Sequence, residues 1–314
     1  MLPNSKIPQA KRRVALGCAA GFLALALAVT GPACASDGNG SVYPLSAETI
    51  MPGMMPGAGG TMLVEFTDSY TANELVGSNG KALMPGFHLR VGAAAVKVMH
   101  HWGFHVFGGS FVTSAALPML DVHLSAPIGS QNKVGIGNGD VEAAVAYHKG
   151  ALNWWYGAEY YPPGFSYTKG ALVNIGQHNN AVAPSGAFTC MPDHGRTEVS
   201  SKFQYIVNYT NDATNYRSGN EFVWEYAGMR NLAKSLAIGG NGYYYQQTTG
   251  DTQNGLTYLD GNRGRNVTFG PEIRYHFKHF LAILKWQKDF LVQNRAVGNS
   301  IWLQFGVPLE GHRD

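Results

Sequence analysis

Apolar and polar positions alternate with period two along most of this chain, most regularly between residues 265 and 309. In the first run Val267, Phe269, Pro271, Ile273, Tyr275 and Phe277 fall on one side, and Asn266, Thr268, Gly270, Glu272, Arg274 and His276 on the other. In the second, Phe280, Ala282, Leu284, Trp286 and Phe290 alternate with Ile283, Lys285, Gln287 and Asp289, with only Leu281 and Lys288 out of phase. In the third, Ile301, Leu303, Phe305 and Val307 alternate with Ser300, Trp302, Gln304 and Gly306. Side chains on a strand point to opposite faces in turn, so these are three strands, each with an apolar and a polar face. The polar faces carry full charges at mid-strand.

The same pattern predicts nine earlier strands, at 61–70, 86–100, 102–117, 139–149, 151–161, 179–191, 196–209, 219–229 and 234–247. In 196–209, Phe203, Tyr205, Val207 and Tyr209 oppose Ser200, Lys202, Gln204 and Asn208. In 219–229, Phe222, Trp224 and Tyr226 oppose Glu221 and Glu225. Short turns are expected near His101, Gly150, residues 229–234 and residues 278–279. Longer connections are expected at 73–85, 118–136, 162–178, 210–218 and 248–264. Twelve strands of about ten residues, with short turns at one end and long loops at the other, describe an all-β transmembrane antiparallel barrel over residues 61–309.

A soluble β-sandwich would alternate in the same way. Charged residues make up 14% of the chain, against about 25% in ordinary soluble domains. Tyr and Trp crowd the strand ends, as at Trp154, Tyr160, Tyr209, Trp224, Tyr243 and Trp286, which suits a membrane interface. Mid-strand charges would be costly in a sandwich core and comfortable in a wet lumen. After residue 35 no apolar run approaches the about 20 residues that a membrane helix needs.

The first 35 residues read as a secretory signal: Lys6, Lys11, Arg12 and Arg13, an apolar run over 14–30, and small residues at 33–35 before Ser36. Removing four basic and no acidic residues takes the formal charge from +3 to −1. A nucleic-acid partner loses its main support with them. Cys18 and Cys34 leave as well, and Cys190 alone makes neither an internal disulfide nor a Cys-rich metal site. Residues 36–60 form a Met/Pro/Gly-rich leader, either a flexible lead-in or a plug whose Met51, Met54 and Met55 pack in the barrel mouth as a gate. Residues 310–314 are a tail.

Several stretches, SVYPLSAETIMPGMMPGAGGTMLVEF, GFHLRVGAAAVKV, NIGQHNNAVAPSGAF, SSKFQYIVNYTN–DATNYRSGNEFVWEY, AIGGNGYYYQQTT and NRGRNVTFGPEIRYHF, cover almost all of the chain after the signal. They resemble the phenol meta-pathway degradation family of outer-membrane transporters, often called SphA-like. The resemblance implies a barrel in the bacterial outer membrane and uptake of small aromatic or other hydrophobic molecules. It does not imply an enzyme of the pathway, since the shared motifs are structural. Barrel chains of this kind often finish on an aromatic residue; here Phe305 and Leu309 are followed by Glu310 to Asp314.

Arg90, Glu142, Glu159, Lys202, Glu221, Glu225, Glu272, Arg274 and Lys285 are the candidate lumen-lining residues. They either neutralise one another across a narrow lumen or form a charged constriction. In the second case hydrophobic solutes would use an apolar upper pocket and leave sideways into the membrane, with the Met-rich leader as gate. His100, His101 and His105 lack the further ligand a metal site needs. Gly135 to Gly139 lack the Lys and the helix of a phosphate loop. No catalytic residue, metal or cofactor is assigned. The expected partners are a small hydrophobic or aromatic solute and outer-membrane lipid, with the chain a monomer. The alternatives left open are an outer-membrane enzyme acting on lipid and a structural barrel without transport.

Overall fold

The computed structural model describes residues 40–309. The signal at 1–35, leader residues 36–39 and the tail at 310–314 lie outside the described residues. In chain order the strands are β1 (Thr61–Leu75), β2 (His88–Val106), β3 (Gly109–Ala126), β4 (Gly129–Ile136), β5 (Asp140–Lys149), β6 (Leu152–Tyr161), β7 (Ala181–Cys190) and β8 (Thr197–Asn208). There follow β9 (Tyr216–Arg217), β10 (Glu221–Asn231), β11 (Leu236–Gln247), β12 (Thr252–Gln253), β13 (Leu256–Thr257), β14 (Arg265–His276), β15 (Leu281–Gln293) and β16 (Ala296–Leu309).

Twelve of them close a ring in the order β2-β1-β16-β15-β14-β11-β10-β8-β7-β6-β5-β3, with β3 returning to β2. Closure gives every wall strand two partners, the one way a sheet can span a membrane without exposed backbone edges. β4 pairs only with the outer part of β3, and β9, β12 and β13 form a small sheet within the loops. Among the described residues no helix is long and apolar enough to cross a membrane.

The two faces of the wall decide between barrel and sandwich. Leu284, Trp286, Phe290, Ile301, Leu303, Phe203 and Trp224 are exposed, whereas Lys202, Gln204, Glu225, Arg274, Lys285 and Gln287 are buried. A soluble core has the opposite sense. Connections at 107–108, 150–151, 191–196, 232–235 and 277–280 are short and share an end with Thr61 and Leu309. This is the periplasmic end, and the longer loops stand at the outer end.

Three expectations are corrected. The first hairpin turns at Phe107 and Gly108, both at positive φ, and not near His101. His101 stays in the ladder opposite Val112, and a register shift between His101 and His105 absorbs the irregularity. Residues 118–136 are mostly strand and not loop. β3 runs through Pro118, at the point where its partner changes from β5 to β4, and the Pro118 carbonyl accepts from the Gly137 amide. On β1 the apolar residues turn inward: Phe66 packs with Ala47 and Trp302, and Glu65 and Thr67 lie on the outer face.

The outer loops are tied by Asp251, which is fully buried. One carboxylate oxygen accepts from the Gly219 amide at 2.8 Å and Gln247 Nε2 at 2.6 Å; the other accepts from Asn262 Nδ2 at 2.9 Å and the Tyr216 hydroxyl. This joins the 209–220 loop to the 248–264 loop. Asp251→Ala strips four donors of their acceptor, a loss of about 1–3 kcal/mol. External protease should then cleave these loops about tenfold faster, while the folded barrel keeps its mobility in unheated gels.

Candidate functional site

Among the described residues, the inward faces of the strands meet one occupant, the leader. It enters at the outer end, where its Gly40 carbonyl accepts from Gln177 Nε2 at 2.7 Å. It leaves at the periplasmic end, where residues 59–60 pair with the His101 backbone and Thr61 begins β1. Between these points its peptide groups are satisfied by wall side chains, as a buried non-sheet backbone requires.

At mid-lumen the contacts are polar. The Ser46 amide donates to Glu225 Oε1 at 2.5 Å, and the Glu48 amide to Glu225 Oε2 at 3.0 Å. The Ser46 hydroxyl donates to Gln287 Oε1 at 2.7 Å. Lys285 Nζ donates to the Ser46 carbonyl and, at 3.0 Å, to the Thr49 hydroxyl. Gln304 Nε2 donates to the Ala47 carbonyl at 2.8 Å. Ser46 has φ +82°, a left-handed conformation that non-glycine residues avoid, and it is completely buried. Strained backbone of this kind persists where its surroundings over-determine it, and here three wall side chains do so.

Glu48 is the electrostatic centre. Its carboxylate bridges Lys97 Nζ at 2.5 Å and Lys202 Nζ at 2.8 Å. Lys97 also pairs with Glu142 at 3.2 Å, and Lys202 with Glu159 at 3.0 Å. Burial alone would raise the Glu48 carboxyl, but Lys202 and Lys97 outweigh it and hold it well below the usual carboxylate range. A carboxyl depressed on folding stabilises above its unfolded pKa and loses that contribution as pH falls through the folded value. The Glu48 contribution therefore holds through neutral and mildly acid pH.

Nearer the periplasm the Met51 amide donates to Glu198 Oε1 at 3.1 Å, and Glu198 is itself paired with Arg274. Trp155 Nε1 donates to the Pro52 carbonyl at 2.6 Å, the Gly53 amide donates to Thr189 Oγ1 at 3.0 Å, and His101 Nδ1 reaches the Pro56 carbonyl at 2.8 Å. Between the polar contacts, leader side chains fill apolar nests in the wall. Val42 and Tyr43 enter one with Tyr161 and Ile206, Ala47 one with Phe66, and Ile50 one with Met229 and Ile283.

Of the candidate residues, Glu142, Glu159, Lys202, Glu221, Glu225, Glu272, Arg274 and Lys285 are buried on the inward face. Glu142, Glu159, Lys202, Glu225 and Lys285 sit round the middle of the leader. Glu221 stands higher, accepting from Asn208 Nδ2 at 2.8 Å. Glu272 faces Lys285 across the β14–β15 pair, with neither oxygen hydrogen-bonded. Arg90 is the correction. It is exposed and shares the outward parity of Val96 and Val98, because β2 runs in unbroken register from Leu89 to His100 with Lys97 inward.

Met51, Met54 and Met55 are half-buried in the inner half of the leader. Met51 packs beside Ile50, and Met55 beside the cluster of Met99 and Trp155. The histidines are not gathered: His101 binds the leader, whereas His100 packs edge-on to Trp102. Sequence reasoning missed Lys97, Glu198, Ser46, Glu48 and Thr49. Lys97 had a signal, as the single charge in the run from Val91 to Val98.

A closed barrel that is apolar outside and polar inside is a β-barrel of the bacterial outer membrane, here with its leader threaded through the lumen. The family model described as "Putative MetA-pathway of phenol degradation" matches residues 72–305, and the chain belongs to this family. Its fold is similar to that of the COG4313 outer membrane channel from Pseudomonas putida F1, with a TM-score of 0.72 at 14% identity over 85% of this chain and 100% of that one. The NanC porin gives a TM-score of 0.44 at 10% identity, covering 79% of this chain and 100% of its own. The CymD monoaromatic hydrocarbon channel gives 0.44 at 9% identity, covering 84% and 92%. No curated protein sequence matches the chain.

Glu48→Gln tests the electrostatic anchor. Each lysine keeps a wall carboxylate, so the loss is held to about 1–3 kcal/mol and shifts the seated leader toward release by about ten- to a hundredfold. Planar-bilayer recordings should show more frequent openings than wild type. The thermal stability of the barrel should stay nearly unchanged.

Proposed function

We propose that the chain is a leader-gated channel through which small hydrophobic or aromatic compounds cross the outer membrane by passive or facilitated diffusion. It acts as a monomer surrounded by lipid and carries out no chemistry on its solute. The observation that carries this reading is the manner in which the leader is held. Its hold is a set of separate hydrogen bonds, two ion pairs and small apolar nests. Lys97 and Lys202 keep Glu142 and Glu159 if Glu48 departs. Lys285 has Glu272 opposite it in register but not hydrogen-bonded to it. Release therefore leaves Lys97 and Lys202 paired while Glu225 and Lys285 give up their leader partners, and a leader whose ion-paired anchor can leave without stranding its two lysines is suited to gating.

Family membership supports the solute class through the pathway in the family's description. The lumenal charges favour an apolar route high in the barrel over passage of a hydrophobic solute down the full lumen. A sideways exit draws support from a break in the wall's pairing. The β7–β8 pairing runs from Val182 opposite Val207 and resumes only at Ser185 opposite Gln204. Pro184 has no amide hydrogen to give, and its neighbour Ala183 lines the upper apolar nest.

The test compares wild type with a chain lacking residues 40–60. Bilayers with wild type should carry little steady current, and the deletion should carry a large one. Cells expressing wild type should take up a labelled monoaromatic compound faster than cells without it. Equal steady current in both forms would remove the gate. Equal uptake with and without the protein would remove the transport reading.

A further inference from the structure

Tyr43 is the only aromatic residue in the leader between residues 40 and 60. It is 5% exposed, in a chamber at the outer end of the lumen whose wall includes Tyr161, Ile206, Val223, Tyr243 and Tyr245. Lys202 Nζ stands 4.5 Å from the centroid of its ring. Val42 and Leu45 complete the filling.

The wall tyrosines are engaged elsewhere, Tyr161 and Tyr243 through their hydroxyls and Tyr245 through its ring face. The Tyr161 hydroxyl donates to Glu159 and accepts from Gln204 Nε2 at 2.8 Å; the Tyr243 hydroxyl accepts from Asn266 Nδ2 at 2.9 Å; and Arg295 lies 4.4 Å over the Tyr245 ring. The wall therefore offers the chamber apolar bodies and one ammonium, itself paired with Glu159, with the Glu225 carboxylate near it. This combination favours an aromatic ring over an aliphatic one of the same size, because a cation is attracted to a ring face. Burial pushes the Tyr43 phenol well above its ordinary range, and Glu225, Glu48 and Glu159 reinforce the shift. The occupant is a neutral phenol in a place that disfavours anions.

We propose that Tyr43 is an internal stand-in for the solute, and that the chamber is a binding site for a neutral monocyclic phenol, which enters by displacing Val42 to Leu45. This rests on the uptake reading and deepens it, since occupancy by solute and seating of the leader's outer end exclude one another. Binding is then coupled to release of that end. An aromatic carboxylate of the same size should be refused, because Glu225 and Glu159 remain in the wall when the leader leaves.

The test is calorimetric titration of the folded full chain with phenol, benzoate and cyclohexanol. Wild type must expel its own ring, so its apparent affinity is lowered by the fraction of molecules with the chamber free. Tyr43→Ala removes the competitor and should bind phenol at least about tenfold more tightly. Its melting temperature should rise with phenol and not with benzoate. Equal phenol affinity in wild type and variant, or benzoate bound as well as phenol, would overturn the proposal.

A second measurement leaves the chamber residues intact and covers failure of Tyr43→Ala to fold. A spin label on Ser41→Cys, in a Cys190→Ser background, should gain mobility when phenol is added and stay fixed with benzoate. No change with phenol overturns the proposal. Phenol binding without phenol uptake in cells would keep the chamber and remove the transport reading. Uptake without binding at the chamber would do the reverse.

Discussion

The Glu48 carboxylate between Lys97 and Lys202 is the contact on which the arrangement of the lumen turns. A bare ammonium held away from water costs several kcal/mol. The barrel wall meets that cost by giving each lysine a glutamate of its own, Glu142 for one and Glu159 for the other. Glu48 then adds a shared third carboxylate and makes a chain of five alternating charges across the lumen. The wall pairs make the lumen tolerable without the leader, and the shared carboxylate makes it better with the leader. A lumen needing Glu48 for neutrality would hold the leader permanently. One indifferent to Glu48 would not hold it at all.

The alternation of polar and apolar contacts along the leader follows from the same wall. Inward positions on neighbouring strands are charged at mid-barrel and form an apolar nest above that level, so a chain threaded through them must change character with depth. Val42 and Tyr43 meet tyrosines and Ile206, Ser46 to Thr49 meet charges and amides, and Ile50 returns to an apolar nest. Ser46 takes a strained backbone at the point where the chain must offer its amide to Glu225 and its carbonyl to Lys285 at once. Strain at that level, of order 1–3 kcal/mol, is offset while these contacts last and is relieved on release.

The strands were legible because period-two alternation is a local signal. Lys202, Gln204 and Asn208 opposite Phe203, Tyr205 and Val207 declare their faces without knowledge of any partner. Where local and tertiary signals part, the reading fails. Arg90 lies in the outer part of β2 and faces outward, while the inward lysine of that strand is seven residues further along. β1 reverses its faces because Phe66 packs against the leader and Trp302. The connection expected at 118–136 is strand, because Pro118 falls where β3 changes partners. The leader was the least legible segment. Its density of Met, Pro and Gly marks it as non-periodic, but the anchors are Ser46, Glu48 and Thr49, whose worth depends on wall residues about 50 to 240 positions away.

The two ends of the leader are held by different means, and this sets the order in which it can move. The inner end is continuous with β1 at Thr61 and is clipped by the His101 backbone, so it can pivot but not leave. The outer end is held by the Gln177 bond and the chamber around Tyr43. Displacement at the chamber therefore acts on the part that can yield first. The mid-lumen pairs come next, because Glu48 cannot withdraw while Val42 to Leu45 remain seated above it. Opening then runs from the mouth inward, the side from which an external solute arrives. A barrel gated from the inner end would need its solute to have crossed before the gate could respond.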